Sequence, residues 1–364
     1  MDNWNDVRLK QEFKDGDISC YRLTGGNFVN KYYIVSDDET SKLMDYPEEV
    51  GFNVYNCLLP SSRRMMRLFK EERQISSVNV LSILRGALNY PMEESCYYEN
   101  IPVHDISFLS SERVFINNEI TGLEIKYSKL AMVPDSTLLI GDIIATGETL
   151  KKCLEYVINY YREHDRKLRN IIIFSVGGTK GIKLMEELTK QFREFWPEFE
   201  GFIGVFYGGV LKIYEEQGVT GIQVLNVDFY WNGGIIAPEY RRATLDRMDP
   251  LYEKCTIYDG GARRYEIADH IEEVSEYWKN MLDRADSIDI KALTDEKLGY
   301  VTPISYEEWL EKNHYQDLDP EEMKDLYECE LRFLERVKST GLNIKNLAEK
   351  RLAEFYDAMK VYLI

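Results

Sequence analysis

Histidine is scarce, with four in 364 residues, and none has a second His or Cys at ligand spacing. A histidine- or thiolate-rich metal site is therefore not expected. The six cysteines (Cys20, Cys57, Cys96, Cys153, Cys255 and Cys329) lie far apart and form no CxxC pair. A chain of this length does not need disulfide staples, so they read as reduced thiols. Long apolar runs are missing, and nothing approaches the ~18 residues of a membrane span. The opening stretch MDNWNDVRLKQEFKDGD has no apolar segment of signal-peptide type, and a cytosolic location is expected. Positive charge is also short: 45 Lys+Arg against 63 Asp+Glu leave a net charge of −18. Such a field opposes a polyphosphate backbone, which excludes a general nucleic-acid binder but leaves room for a local basic pocket around a small phosphate. There is no internal repeat and no low-complexity tract.

What is present is enough apolar sequence, 44%, for a sizeable core. From about residue 77 to 227, short β-type runs alternate with helical patterns. The runs are VNVLSIL (78–84), STLLIG (136–141), NIIIFSV (170–176), GFIGVFY (201–207) and GIQVLN (221–226). They are apolar at consecutive positions, as strands covered on both faces are. A helix is predicted from about Glu148 to His164, with Leu150, Cys153, Leu154, Val157, Ile158 and Tyr161 on one stripe, and another from about Lys180 to Phe195. Strand, helix and strand at this spacing form βαβ units. The expected fold is therefore α/β, a doubly wound, mostly parallel sheet. GDISCYRL and KYYIVS could be strands of the mixed N-terminal region, and SSRRMMRLFKEER (61–73) reads as a helix leading into the sheet.

Beyond about residue 250 helical periodicity takes over, and residues 251–364 hold 26 acidic and 16 basic side chains, a net of −10. Ile271, Val274, Tyr277, Trp278, Met281 and Leu282 make one stripe. Ser305 with Glu308 is a capping-box pattern, and Asp319-Pro320 is an N-cap followed by the residue best suited to a first helical turn. Met323, Leu326, Phe333, Leu334 and Val337 mark a helix that Gly341 can close, and a last helix covers Ile344 to about Val361. Such stripes need a partner surface, so close packing on the sheet region or a second subunit is expected. The expected division is an N-terminal segment (1–60), an α/β domain (61–245) and a helical C-terminal region (246–364).

The richest chemistry lies in STLLIGDIIATGETLKKCLEYV (136–157). An apolar strand reaches Gly141-Asp142, then two apolar residues, then Ala145-Thr146-Gly147-Glu148-Thr149 and a helix. Small residues let several backbone N–H groups converge, Thr146 and Thr149 add hydroxyls, and the helix start adds partial positive charge, which together describe a phosphate cradle. Asp142 is placed to accept from sugar hydroxyls or to hold Mg²⁺. Neither the Walker A pattern nor GxGxxG is present.

An apolar strand, an acidic site, two apolar residues and A-T-G-x-T resemble the phosphoribosyl-diphosphate (PRPP) motif of type I phosphoribosyltransferases. The resemblance implies a PRPP-transferase type of sheet, with Asp142 holding the ribose and Ala145 to Thr149 holding the 5′-phosphate. Two departures stand out. The family has two adjacent acidic residues where this chain has Gly141-Asp142, and Glu148 puts a negative charge beside a phosphate, so its side chain must point outward. VLSILRGALNYP (80–91) supplies a strand ending in Arg85-Gly86-Ala87, and the resemblance makes Arg85 and Gly86 pyrophosphate ligands. The interval 105–133 matches the family's flexible hood and reads as a hairpin-like insertion, from which Arg113 and Lys126 could reach over the pyrophosphate.

Phe229, Tyr230 and Trp231, with Asp228 and Asn232 nearby, are candidates for the base-binding hood by resemblance, since an aromatic plane stacks on any base. The other reading is an apolar latch between sheet and helices. Ala145 stands where some purine-specific members carry an acidic base, so that mode of activation is missing. Gly177-Gly178-Thr179-Lys180-Gly181 reads as a strand-to-helix turn with Thr179 as cap, and Arg63, Arg64 and Arg67 as a solvated helix face.

The implied activity is a Mg²⁺-dependent, cytosolic phosphoribosyltransferase joining PRPP to a nitrogenous base, or running in reverse. Asp142 and Arg85 are its expected catalytic residues and Asp142 its metal ligand. Two alternatives stay open. One is a catalytically silent PRPP- or nucleotide-binding regulator, and the other is a hydrolytic N-glycosidase using the same site. The expected partners are small molecules, with a homo-oligomer or a partner protein docked through the C-terminal helices.

Overall fold

In the computed structural model, residues 4–116, 119–131, 133–213, 218–222, 229–254, 261–339 and 341–362 are described. Three strands come first: β1 (Arg8–Asp15), β2 (Ile18–Thr24) and β3 (Lys31–Ser36). Then follow α1 (Asp38–Asp45), α2 (Phe52–Arg73), β4 (Val78–Ile83), α3 (Tyr90–Tyr98), β5 (Val103–Ile116), β6 (Glu119–Lys129), β7 (Ser136–Ile144), α4 (Glu148–Glu163), β8 (Leu168–Gly178), α5 (Thr179–Phe195), β9 (Phe202–Ile213) and β10 (Phe229–Ile236). The helical region holds α6 (Pro238–Arg247), α7 (Gly261–Arg264), α8 (Ile267–Asp283), α9 (Ile290–Leu298), α10 (Tyr306–Asn313), α11 (Pro320–Ser339) and α12 (Ile344–Met359).

All ten strands form one sheet, in the order β1-β2-β3-β9-β8-β7-β4-β5-β6, with β10 also on β9. The six from β3 to β5 along that order run parallel. The edges are antiparallel: β1 and β2 at one end, β6 at the other, and β10 beside the last turn of β9. β7, β8 and β9 are buried at nearly every successive position, so both of their faces are covered. The strands at 80–84 and 137–141 are neighbours, Val80 opposite Leu139 and Leu81 opposite Ile140. The α4 stripe is buried residue for residue as expected, with Cys153 a small core side chain.

Four features differ from the sequence reading. Residues 8–36, in the segment expected to precede the α/β domain, are three strands of the same sheet, and β3 pairs directly with β9. α2 begins at Phe52, nine residues before the expected start, and carries Pro60 inside it; a proline ordinarily reads as a boundary, which hid the first turns. β7 runs on to Ile144, because Ile143 and Ile144 still pair with Val176 and Gly177, so Gly141 and Asp142 lie inside the ladder. The run at 221–226 lies mostly outside the described residues, and Gly221 and Ile222 are not in a strand.

The helical region is held together by apolar stripes and buried polar clamps, and Tyr315 ties it to the sheet by donating to the Ile236 carbonyl of β10 at 2.6 Å. Ile271, Val274, Tyr277, Trp278 and Met281 of α8 are buried. Ser305 caps α10 through the Glu308 N–H, and Asp319 caps α11, with Pro320 its first residue. Arg241 of α6 donates to Glu330 of α11 at 2.8 Å, and Glu330 also accepts from Trp309 Nε1 at 3.0 Å and Tyr300 at 2.6 Å. With Arg241 and Glu330 both about 2–3% exposed, every lone pair must be satisfied locally, and this set largely does so. Among the described residues no helix is long and apolar enough to cross a membrane.

Asp45, at the end of α1, is buried beside Thr244 of α6, whose hydroxyl lies 3.1 and 3.0 Å from its two carboxyl oxygens. The same hydroxyl bonds the Tyr240 carbonyl at 2.9 Å. One hydrogen cannot serve all three acceptors, so a neutral Asp45 that donates to Thr244 completes the chain. Burial raises its pKa from 3.8 to about 8, against the pull of Thr244 and Arg247. Between those values the folded protein holds a proton the unfolded chain has released, so this group's stabilisation is lost as pH rises from about 4 to 8. Asp45→Asn keeps the donor without the titration. Urea midpoints across that range should fall less steeply for the variant than for the parent, and the variant should be the more stable at pH 8. Equal slopes would mean that Asp45 is ionised in the fold.

Candidate active site

Because β4 and β7 are parallel neighbours, the turns that leave them meet on the same edge of the sheet, where ligands of open α/β sheets bind. The β7 turn is Ala145-Thr146-Gly147. Gly147 has φ +83°, and a Cβ there would come within 2.8 Å of Leu184 Cδ2, so both backbone and space demand glycine. Gly147 itself has no side chain to cap α4, and the Glu148 N–H of the first turn makes a long bond to Thr146 Oγ1 at 3.5 Å. Thr146, Glu148 and Thr149 are exposed, so the Glu148 carboxylate has open solvent to turn into. Asp142 lies three residues before the turn, 8% exposed, opposite Ser175 of β8. Burial pushes the Cys153 thiol of α4 up to about 12, and the nearby Asp142 charge adds to that push.

Gly141 has a physical reason. A Cβ there would meet the Leu88 carbonyl oxygen at 2.0 Å and its carbon at 2.4 Å. The 87–89 turn after β4 packs its main chain on this point of β7, so the place of a second carboxylate is filled by backbone. Asn89, 6% exposed, holds the two together. Its Oδ1 accepts the Gly141 N–H at 3.0 Å, and its Nδ2 donates to the Gly86 carbonyl and to Ser82 Oγ, both at 3.3 Å. Sequence reading missed Asn89. Its signal is a polar residue four positions beyond Arg85, which by itself is only a turn residue.

The Leu84–Arg85 peptide is cis. Arg85 is exposed but not unpartnered: both of its terminal nitrogens meet the carboxylate of Glu266, one at 3.0 Å, from the residue just before α8. The helical region thus reaches the turn with a bidentate ion pair. Gly86, expected at the pyrophosphate position, donates its own N–H to the Ile83 carbonyl at 2.7 Å. Its glycine requirement is steric, since a Cβ would meet Asn89 Nδ2 at 2.4 Å and the Ile83 oxygen at 2.5 Å.

The hood interval forms the β5–β6 hairpin as expected. Lys126 on it pairs with Glu124 at 2.7 Å rather than reaching over the edge; the Arg113 side chain lies outside the described residues. Phe229 and Trp231, expected to stack on a base, are buried at 4% and 8% exposure. Trp231 meets Tyr240 edge-on at 5.4 Å, and the Arg241 guanidinium lies over its ring at 4.9 Å. Both rings line a cavity of about 20 Å³, room for a water molecule and not for a base. They form the latch between sheet and helices, because a ring packed this way has no open face to stack with. The Tyr230 side chain and Asp228 lie outside the described residues.

In the 177–181 loop, α5 begins at Thr179 and its cap is Gly178, with no side-chain bond, so Thr179 is not the cap. Gly181 and Gly178 are packing positions, tight against Ile144 and the Leu211 carbonyl. Arg63 and Arg67 are not merely solvated: both bind Glu99, at 3.2 and 2.9 Å, and Arg64 binds Asp15 at 2.8 Å.

Among the described residues there is no group of three or more His, Cys, Asp or Glu able to hold a metal. Asp142 is therefore not part of a ready-made ligand cluster. Such a site fits Mg²⁺ only when the ion arrives with phosphate oxygens and keeps several waters, as that ion commonly does.

No protein-family model and no curated protein matches this chain. Solved structures that overlap it in part include the AQ2163 protein of Aquifex aeolicus, at 15% identity and TM-score 0.33, covering 52% of this chain and 86% of that one. A hypoxanthine phosphoribosyltransferase of Staphylococcus aureus overlaps at 22% identity and TM-score 0.24, covering 32% of this chain and 60% of its own. The hypoxanthine-guanine phosphoribosyl transferase of L. donovani overlaps at 12% identity and TM-score 0.27, covering 35% and 70%.

The fit at Gly141 can be tested directly. Gly141→Asp would create a paired-carboxylate sequence, yet its Cβ must displace the Leu88 carbonyl. A loss of about 1–3 kcal/mol or more in urea unfolding is expected, as for overpacked sites, with no gain in ligand affinity. A variant as stable as the parent would mean that the 87–89 turn does not press on β7.

Proposed function

We propose that the chain is a phosphoribosyltransferase of the PRPP-using type, built on a doubly wound sheet, which joins ribose 5-phosphate to a nitrogenous base with release of pyrophosphate, or runs the reverse. The observation that carries this reading is the pairing, on one sheet edge, of the glycine-led start of α4 and its Ala145–Thr149 loop with Asp142 and the Arg85 turn. Residues 61–245 would carry the chemistry, with 246–364 as a helical cover.

In this reading the 145–149 backbone and the Thr146 and Thr149 hydroxyls hold the 5′-phosphate, and the α4 N-terminus adds its partial charge. Asp142 accepts from a ribose hydroxyl and steadies positive charge developing at C1′. Arg85 swings from Glu266 to the departing pyrophosphate. Mg²⁺, bound through Asp142 and the ligand's own oxygens, would neutralise diphosphate charge. No protein nucleophile is required, because the work is positioning and electrostatics. The base pocket is not assigned, since Phe229 and Trp231 are packed away.

A second reading, a PRPP- or nucleotide-binding regulator without turnover, is favoured by one observation. The single carboxylate and the engaged Arg85 leave less charge for catalysis than the paired-carboxylate pattern would supply.

Calorimetric titration with PRPP and Mg²⁺ at up to millimolar concentration tests both readings, and pyrophosphate release with a pool of bases separates them. Thr146→Val should weaken PRPP by about 1.5–3 kcal/mol, the loss of a hydrogen bond to a charged group. Asp142→Asn should lower turnover by about 100-fold or more. A protein that binds no PRPP would end both readings, and tight binding untouched by Asp142→Asn would mean the site is misplaced.

A further inference from the structure

We infer that Asn89 is a positioning residue that locks the Arg85–Gly86 turn to the Gly141–Asp142 strand, so that the pyrophosphate end and the ribose end of the ligand are held at a set spacing. This rests on the phosphoribosyl reading above and adds to it a residue that touches no ligand.

The geometry is specific. β4 and β7 pair only as far as Leu81 and Ile140, after which β4 turns away through Arg85. The next N–H of β7, at Gly141, would be left without its strand partner in a buried place. Asn89 Oδ1 supplies that partner at 3.0 Å. The other end of the same amide donates to the Gly86 carbonyl at 3.3 Å and to Ser82 Oγ at 3.3 Å. One planar group, 6% exposed, thus ties the residue before Asp142 to the residue after Arg85. Both flanking glycines make room for it: a Cβ on Gly86 would strike Nδ2 at 2.4 Å, and a Cβ on Gly141 would strike the Leu88 carbonyl beside it. An amide is needed rather than any polar group, because one end must accept and the other donate.

Two substitutions separate the two ends. Asn89→Asp keeps an acceptor for the Gly141 N–H but loses the donor to Gly86, so the strand side is retained and the turn is released. Asn89→Ala loses both and adds no charge, so a defect common to the two variants is not charge repulsion. The full chain is titrated separately with Mg²⁺-pyrophosphate and with ribose 5-phosphate, and its thermal unfolding is followed. Pyrophosphate affinity should fall by about tenfold or more in both variants, the scale of one or two lost buried hydrogen bonds. Ribose 5-phosphate affinity should stay within about twofold in Asn89→Asp, because its acceptor still holds the Gly141–Asp142 strand and the phosphate site at 145–149 is not touched by Asn89. Both variants should melt below the parent, Asn89→Asp by burying a charge and Asn89→Ala by leaving the Gly141 N–H unpaired, so the titrations are run well below each variant's own transition.

Equal loss of both ligands in Asn89→Asp, or no loss of pyrophosphate, overturns the inference while leaving the phosphoribosyl reading in place. A parent protein that binds ribose 5-phosphate but not pyrophosphate also overturns it. A parent that binds neither ends the functional reading, and the Asn89 role falls with it.

Discussion

The main chain of the 87–89 turn lies against Gly141, close enough that a single added carbon would sit 2.0 Å from the Leu88 carbonyl oxygen. Much of the candidate site depends on that approach. It brings the Arg85 turn up against the strand that carries Asp142, and it leaves no volume for a second carboxylate. Gly141 is therefore the residue that lets two adjacent strands end with their turns interlocked. The Asn89 amide completes the joint by satisfying a backbone donor that the diverging strand abandons.

The helical region enters the same edge from the other side. Glu266 sits one residue before α8 and pairs with Arg85. α8 is held in turn by its buried stripe and by Trp278 Nε1 donating to Glu253, itself bound to Arg351 of α12. A chain of packed and hydrogen-bonded groups thus runs from the last helix to the turn after β4. The exposed Arg85–Glu266 pair is its weakest link, since a half-solvated ion pair contributes little stability. It is also the link that an anion arriving at Arg85 would compete for.

How much was legible differs by kind of residue. Consecutive apolar runs marked β4, β7, β8 and β9, because strands buried on both faces leave no polar alternation to confuse the pattern. Local caps at Ser305 and Asp319 were legible because they are settled within four residues of chain. The Ala145–Thr149 turn was legible for the same reason, its glycine and its helix start being neighbours in sequence. Phe229 and Trp231 stayed open between a base-stacking face and an apolar latch because an aromatic run carries no sign of whether its rings face a cavity or a packed helix. The first turns of α2 were missed because Pro60 punctuates a sequence even where the fold carries the helix through it.

The amino-acid sequence by itself determined the α/β alternation, the amphipathic faces of α4 and α8, and the small-residue loop opening α4, since each follows from periodicity or from chemistry among near neighbours. Only the tertiary structure decided that residues 8–36 join the sheet, that Glu266 takes Arg85, that Trp231 lies beneath Arg241, and that Leu88 occupies the space beside Gly141. These pairings join residues as much as 181 positions apart. No local pattern encodes them, because which surfaces meet is settled by how whole elements pack, and packing answers to shape and buried area summed over the entire core.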